Sequence, residues 1–454
     1  MSIQRLIKRV CTDLDVELLL DFPPDLQDMF TDATMKLKEK TSISRFFNRF
    51  IRLLRQPQYD NYHTISFKLT QDSNSTRYVP IRSFRLEKQV ESVKNEIDTF
   101  HQFDSKKQSF YSTLARYLDP FKHFIKKNLR ERQFSNAWLK CWEMICFYKL
   151  VPIDHSDDYT VFCNAEFPGS FIFAINHYIN TRTENKNYRW FANSLWPGKG
   201  KGNDILGDEY GLYKHYRDHW LMNDQEASGN VMDKVMNDIV VAKLGRKVDL
   251  YTSDIGIGLE VKDMNREETI HAPLNLGQSV CALHTLKNGG NMVCKMFLFF
   301  KPFTMSLLYL LTCTFEEFYI CKPMTSRPGN AEIYIVGKGY KHDEDLIKRL
   351  EDVLYSWSEE KVEESLVPIP DNFYANIVFD LYYIYGRQIQ FIKKTTDLIT
   401  HEYKQSNRVA KIGDIFHRPS HDPFKIELAF RSNIVKSWQK QYDIPTNTLF
   451  TLPQ

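Results

Sequence analysis

The chain has 454 residues, of which 43 % are hydrophobic and 26 % charged. Those are ordinary proportions for a folded, core-forming protein of about two to four domains. Sixty Lys and Arg against 57 Asp and Glu leave a net charge of +3, which excludes both a polybasic tail protein and an acidic disordered activator. The aromatic share of 14 % serves large cores or rings that stack on bases, and composition does not choose between the two.

Residues 1–130 are charged, poor in glycine and mostly helical in pattern. Charge follows Met1 closely, so no apolar signal region is expected at this end. Within Thr41–Arg55, Arg45, Arg49 and Arg52 fall on one helix face opposite phenylalanines and leucines. That face is either solvated or a phosphate contact.

Residues 131–340 carry most of the glycines and the β-like apolar runs. Tyr159–Asn164 reads as a strand, followed by a Pro168-Gly169 turn and a helix from Phe171. Arg189–Asn193 and Val248–Asp254 are further strands, the second running into Ile255-Gly256-Ile257-Gly258. A helix over Leu276–Leu286 is expected to stop at Asn288-Gly289-Gly290. Asn291–Phe299 is then a strand and Thr304–Thr314 a helix. Lys295 and Lys301-Pro302 interrupt this apolar stretch, which argues against a membrane span. Phe318–Cys321 and Ile333–Val336 close the region as an antiparallel hairpin at one sheet edge. Strand–helix alternation of this kind predicts an α/β fold with a doubly wound, mostly parallel sheet. Residues 341–454 return to charged helical patterning, and the three parts are expected to pack together.

The eight cysteines form no C-x-x-C pair and sit largely in apolar runs, as reduced, buried thiols do in a cytosol-like compartment. No zinc, Walker A or EF-hand motif occurs, so no metal is expected.

In a sheet of this kind, ligands bind beyond the carboxyl ends of the strands. Three polar features fall there: the turn Asn164-Ala165-Glu166-Phe167-Pro168-Gly169-Ser170-Phe171, the acid Asp254, and Lys295. The last is a charge inside the apolar run Met292–Leu298, where a lone ammonium is costly and needs partners. Each feature alone also fits a turn, a cap or a snorkelling side chain.

Taken in order, these elements resemble the FtsJ-like (RrmJ-type) ribose 2′-O-methyltransferases, particularly the cap methyltransferases of large cytoplasmic DNA viruses. That family carries a Lys–Asp–Lys–Glu tetrad on a Rossmann-like sheet. Lys140 in Ser135-Asn136-Ala137-Trp138-Leu139-Lys140 matches the first lysine and Asp254 the aspartate. Lys295, after Gly289-Gly290, matches the second lysine. Glu332 matches the glutamate, within Lys322-Pro323-Met324-Thr325-Ser326-Arg327-Pro328-Gly329-Asn330-Ala331-Glu332-Ile333-Tyr334. The resemblance covers about residues 131–340, between helical N- and C-terminal flanks over 1–130 and 341–454. It implies a Rossmann-like, S-adenosylmethionine-dependent methyltransferase domain that transfers methyl groups to RNA riboses, with cap 1 on mRNA as the leading expectation. An rRNA or internal target, and a catalytically inactive RNA-binding scaffold, are the competing readings.

For the cofactor the resemblance implies Asn164, Glu166, Pro168, Gly169, Ser170, Phe171 and Asp254 at the methionine end, Asn193 near the ribose and Asn230 near adenine. The chain departs from the family's Gly-x-Pro-Gly-Gly-Phe loop, because Glu166 and Ser170 replace glycines. Glu166 then either crowds the cofactor or bonds its amino group. Ser326, Arg327 and the basic loop residues Lys199 and Lys201 are candidate RNA contacts, and Trp196, Tyr210, Tyr213 and Trp220 candidate stacking rings. Capped mRNA and other capping or transcription proteins are the expected partners, in host cytoplasm or virion, with no membrane.

Overall fold

The computed structural model describes residues 64–70, 78–79, 85–102, 113–115, 118–121, 124–125, 129, 134–155, 158–196, 208–223, 227–258, 266–406, 417–445 and 452–453. The arginine face at 45, 49 and 52 and the loop carrying Lys199 and Lys201 lie outside them.

Nine strands are described: β1 (Ile65–Leu69), β2 (Tyr78–Val79), β3 (Thr160–Asn164), β4 (Arg189–Ala192), β5 (Val248–Ser253), β6 (Leu286–Met296), β7 (Phe315–Lys322), β8 (Ile333–Tyr340) and β9 (Ile369–Pro370). Seven of them form one sheet in the order β1-β7-β8-β6-β5-β3-β4, while β2 and β9 pair apart. The half from β4 to β6 is parallel, and the β6-β8-β7-β1 half is antiparallel. The chain moves from β3 outward to β4 and then returns to β5 on the other side of β3. That reversal opens a crevice at the carboxyl ends of β3 and β5, the place where ligands settle in such sheets.

The longer helices are α1 (Arg85–Gln102), α2 (Asn136–Tyr148), α3 (Ser170–Arg182), α4 (Lys234–Leu244), α5 (Glu267–Thr285), α6 (Pro302–Thr314), α7 (Glu344–Tyr355), α8 (Asp371–Ser406) and α9 (Pro423–Gln441). Their starts follow ordinary capping chemistry. Ser135 accepts the Trp138 N–H at the head of α2, Asp233 caps α4 and Asp343 caps α7. Pro302 opens α6, where its missing N–H is harmless. The core runs through both sheet faces: β3 is buried at all five positions, and Ile333, Tyr334, Ile335 and Val336 of β8 are fully covered. Each such aliphatic side chain contributes about 2 kcal/mol of burial.

Two expectations need correction. The helix before β6 ends at Thr285, and Asn288-Gly289-Gly290 lies inside β6. There the pairing with β5 shifts between Val248 and Leu250, so the glycines form an outward irregularity in a strand. The β7–β8 hairpin is not the sheet edge, because β8 sits between β6 and β7 and β1 covers β7. The N-terminal flank also contributes to this sheet. It supplies the edge strand, with Ile65 opposite Lys322 and Leu69 opposite Phe318.

Candidate active site

Neighbouring strand registers carry the four tetrad positions to one end of the sheet. Ser253 pairs with Cys294, so Asp254 and Lys295 leave β5 and β6 side by side. Lys295 pairs with Tyr334 on β8, two residues beyond Glu332. Lys140 reaches the same place from the second turn of α2.

Two ion pairs result. Lys140 Nζ lies 2.8 Å from Glu332 Oε2 and 2.7 Å from Oε1. Lys295 Nζ donates to the Asp254 carbonyl at 2.8 Å and sits 3.3 Å from Asp254 Oδ1. The Tyr334 hydroxyl joins them, donating to Asp254 Oδ1 at 2.7 Å while its ring lies 6.0 Å below Lys140 Nζ. Gly256 leaves room for Lys295, since a Cβ there would stand 3.0 Å from Nζ. Burial alone would raise the Glu332 carboxyl, but the charges of Lys140, Lys295 and Lys322 outweigh it and hold the group at about 2. Glu332 is thus ionised at neutral pH.

The expected cofactor loop folds into a tight cradle. Gly169 heads α3 at φ +118°, and a Cβ there would meet Leu212 Cδ1 at 2.2 Å, so only glycine fits. Pro168 follows a cis peptide. Glu166 turns inward to cap α3: its Oε1 accepts the Phe171 N–H at 2.7 Å and the Ile172 N–H at 3.2 Å. Burial pushes its carboxyl well above the ordinary range, against the helix N–H groups and with the Asp254 charge. Ser170 shares a 2.8 Å hydrogen bond with Ser135, tying α3 to α2, and the Phe171 side chain is buried.

Asn164 and Asn193 brace the strand ends. Asn164 donates to the Tyr251 hydroxyl, and Asn193 donates to Asn164 Oδ1 at 2.9 Å and to the Gly229 carbonyl at 3.1 Å. Asn230 closes its own turn by accepting the Met232 N–H. Among the buried polar atoms without a hydrogen-bond partner are Glu166 Oε2, Asn193 Oδ1 and Ser253 Oγ. They lie at the carboxyl ends of three adjacent strands and fit a ligand rich in amino and hydroxyl donors, as S-adenosylmethionine is.

The outer candidates are distributed differently. Ser326 is buried and gives its hydroxyl to Glu332 Oε1 at 2.7 Å, whereas Arg327 is exposed and meets Asp119 at 3.2 Å. Among the candidate stacking rings, Trp220 is corrected: it is buried and stacks on Phe167 at 4.6 Å. Tyr213 packs edge-on against both, Trp196 lies 5.3 Å from Tyr213, and Tyr210 packs on Phe173. Together with Arg217, 4.1 Å over the Tyr213 ring, they wall the outside of the cofactor loop.

Reasoning from sequence gave no role to Glu143, Lys322 or Tyr334. Glu143 carries a visible signal, a lone acid among Cys141, Trp142, Met144 and Ile145 on a helix face that is otherwise buried.

Residues 133–340 match the family model described as FtsJ-like methyltransferase. A relative named "Probable methyltransferase", from African swine fever virus, is 36 % identical over 282 residues, covering 58 % of this chain and 64 % of its own length. Two relatives are named cap-specific mRNA (nucleoside-2′-O-)-methyltransferase 2. The Danio rerio protein is 32 % identical over 250 residues, covering 53 % of this chain and 33 % of that protein. The Drosophila melanogaster protein is 32 % identical over 238 residues, covering 50 % and 33 %. The chain thus spans less than two thirds of the length of these relatives. Residues 133–340 are therefore similar in sequence to the FtsJ-like methyltransferase family, on a mixed seven-stranded sheet.

Proposed function

We propose that this chain is an S-adenosylmethionine-dependent RNA ribose 2′-O-methyltransferase whose substrate is capped mRNA, methylated at the first transcribed nucleotide. The observation that carries the reading is the convergence of two lysine–carboxylate pairs beyond the carboxyl ends of β5 and β6. The names of the cap-specific relatives favour a capped substrate over an internal one.

Bound S-adenosylmethionine supplies an electrophilic sulfonium methyl group. Glu166, Asn193 and Ser253 would hold it through their unpartnered oxygens. The attacking 2′-hydroxyl is a weak acid, so its oxygen must be oriented and relieved of its proton as attack proceeds. Lys295 suits this task once it has released its own proton to solvent: the lone pair of the neutral amine takes the hydroxyl proton as the oxygen attacks the methyl carbon. Asp254 engages the amine through its carbonyl and Oδ1, fixing Nζ and leaving its remaining direction for the ribose hydroxyl. Asp254 is itself held by Tyr334, and Lys140 is held by ionised Glu332, so neither amine drifts. Arg327, exposed beside the site loop, is the RNA contact this reading assigns among the described residues.

Lys295→Ala is expected to abolish methyl transfer to short m7G-capped RNA while S-adenosylmethionine binding by calorimetry stays within about threefold. Transfer should fall on uncapped RNA of the same sequence, and mapping the modified nucleotide identifies the position. Undiminished transfer by the variant would remove the tetrad assignment. A wild-type chain that binds no S-adenosylmethionine, with or without RNA, would favour a non-catalytic RNA-binding role.

A further inference from the structure

Lys322, the last residue of β7, is a buried ammonium that the mechanism above does not use. All three of its hydrogens go to one short segment: the Asn330 carbonyl at 2.8 Å, Asn330 Oδ1 at 2.7 Å and the Glu332 carbonyl at 2.6 Å. Ser326 gives its single hydroxyl hydrogen to Glu332 Oε1 at 2.7 Å, with Asn330 Oδ1 at 3.3 Å from the same hydroxyl oxygen of Ser326. Lys322, Asn330, Ser326 and Glu332 therefore form a ring of polar contacts, from which the Glu332 carboxylate points at Lys140.

We propose that Lys322 is a positioning residue for methyl transfer, clamping the end of the β7–β8 loop so that the Glu332 carboxylate is aimed at Lys140. The proposal rests on the tetrad reading given above. Stability is a weak reason for this amine: it contacts neutral oxygens only, and burying an ammonium carries a desolvation penalty that an apolar side chain of similar length avoids. Burial pulls its pKa down to about 7, with the Glu332 charge acting against that fall. Its charge also adds to those of Lys140 and Lys295 in keeping Glu332 ionised.

The test is a double-mutant cycle on the full chain, read by transfer of a radiolabelled methyl group to capped RNA, which follows very slow variants. Lys322→Met is expected to lower kcat about 10- to 100-fold, with KM for cofactor and RNA within about threefold. In a Glu332→Gln background the same change should have little further effect, because the group it positions is already impaired. If Glu332→Gln has no measurable rate, Ser326→Ala takes its place and the same non-additivity is expected. If Lys322→Met does not fold, Asn330→Ala, which removes one acceptor from the ring, carries the cycle. An unchanged kcat, or equal losses in both backgrounds, would overturn the role of Lys322. Neither result touches the tetrad reading, which fails separately if Lys295→Ala remains active.

Discussion

Glu143 shows how much one side chain can organise. Its buried carboxylate accepts five hydrogen bonds: from Thr64, from the Met324 and Thr325 N–H groups, from the Thr325 hydroxyl and from Trp438 Nε1. Those donors come from the N-terminal edge, the loop that carries Ser326, and the C-terminal helix α9. Glu143→Ala would strand the Met324, Thr325 and Trp438 donors in the interior, where each lost partner costs about 1–3 kcal/mol, while Thr64 keeps the Tyr442 hydroxyl. We expect a loss of about 3 kcal/mol or more in urea unfolding, and a loss under 1 kcal/mol would show that water or side-chain shifts replace the carboxylate. Glu268 makes a different test. It accepts the Phe300 and Lys301 N–H groups, and burial pushes its carboxyl up to about 7 against those bonds. A pKa raised on folding means that the native state holds a proton the unfolded chain releases. The resulting stabilisation is complete below the ordinary value near 4.5 and is lost as pH rises through 7. Glu268→Gln should therefore remove part of the decline in stability between those pH values, seen as a change in the wild-type-to-variant difference in urea midpoint across the window.

At the scale of elements, the sequence displays partners that are local and hides those that are distant. β3 and β5 were legible because buried parallel strands are continuous apolar runs, and α3 because a Pro-Gly turn precedes it. Gly289-Gly290 misled because glycine after a helix ordinarily marks its end, whereas here the residues serve an irregular strand. Pro273, inside α5, likewise hides the helix's first turns, since proline usually breaks the pattern. β1 has the alternation of a strand, Ile65-Ser66-Phe67-Lys68-Leu69, but its partner β7 lies far along the chain. Within the site, Lys295 was legible as a charge in an apolar strand. Lys322 was not, and Glu143 showed only as an acid in an apolar helix, because their meaning lies in acceptors and donors brought by other elements. The edge strand leads to a further expectation. Removing residues 1–70 bares the backbone of β7, whose only outer neighbour is β1 among the described residues, and takes away the Lys68–Glu317 pair at 2.7 Å. Light scattering should then report an apparent mass that rises with concentration, whereas a truncated chain that stays monomeric would mean that β7 is protected by something other than β1.

Over the whole molecule, hydrogen bonds cross the C-terminal edge of the family match at several places. Trp142 Nε1 donates to the Tyr442 carbonyl at 2.9 Å and Trp190 Nε1 to the Pro453 carbonyl at 3.1 Å, so the C-terminal stretch closes over α2 and the outer strand β4. On the other side, α8 reaches the loops around the site: the Tyr385 hydroxyl donates to the Phe297 carbonyl at 2.8 Å and Gln388 Nε2 to the Gly329 carbonyl at 3.1 Å. Phe297 lies two residues beyond Lys295, and Gly329 belongs to the loop whose end Lys322 clamps. The C-terminal region thus supports both amine-bearing strands from outside the methyltransferase segment. Residues 131–340 alone should retain helix and strand content but lose a cooperative thermal transition, because Glu143, Trp142 and Trp190 lose partners in the removed regions. Circular dichroism in the far and near ultraviolet separates the outcomes. Retained far-ultraviolet signal with a lost aromatic signal fits a sheet without its fixed packing. A segment that melts cooperatively at the full chain's temperature would instead make the flanks separate modules, and the C-terminal contacts to the Phe297 and Gly329 loops incidental to the site.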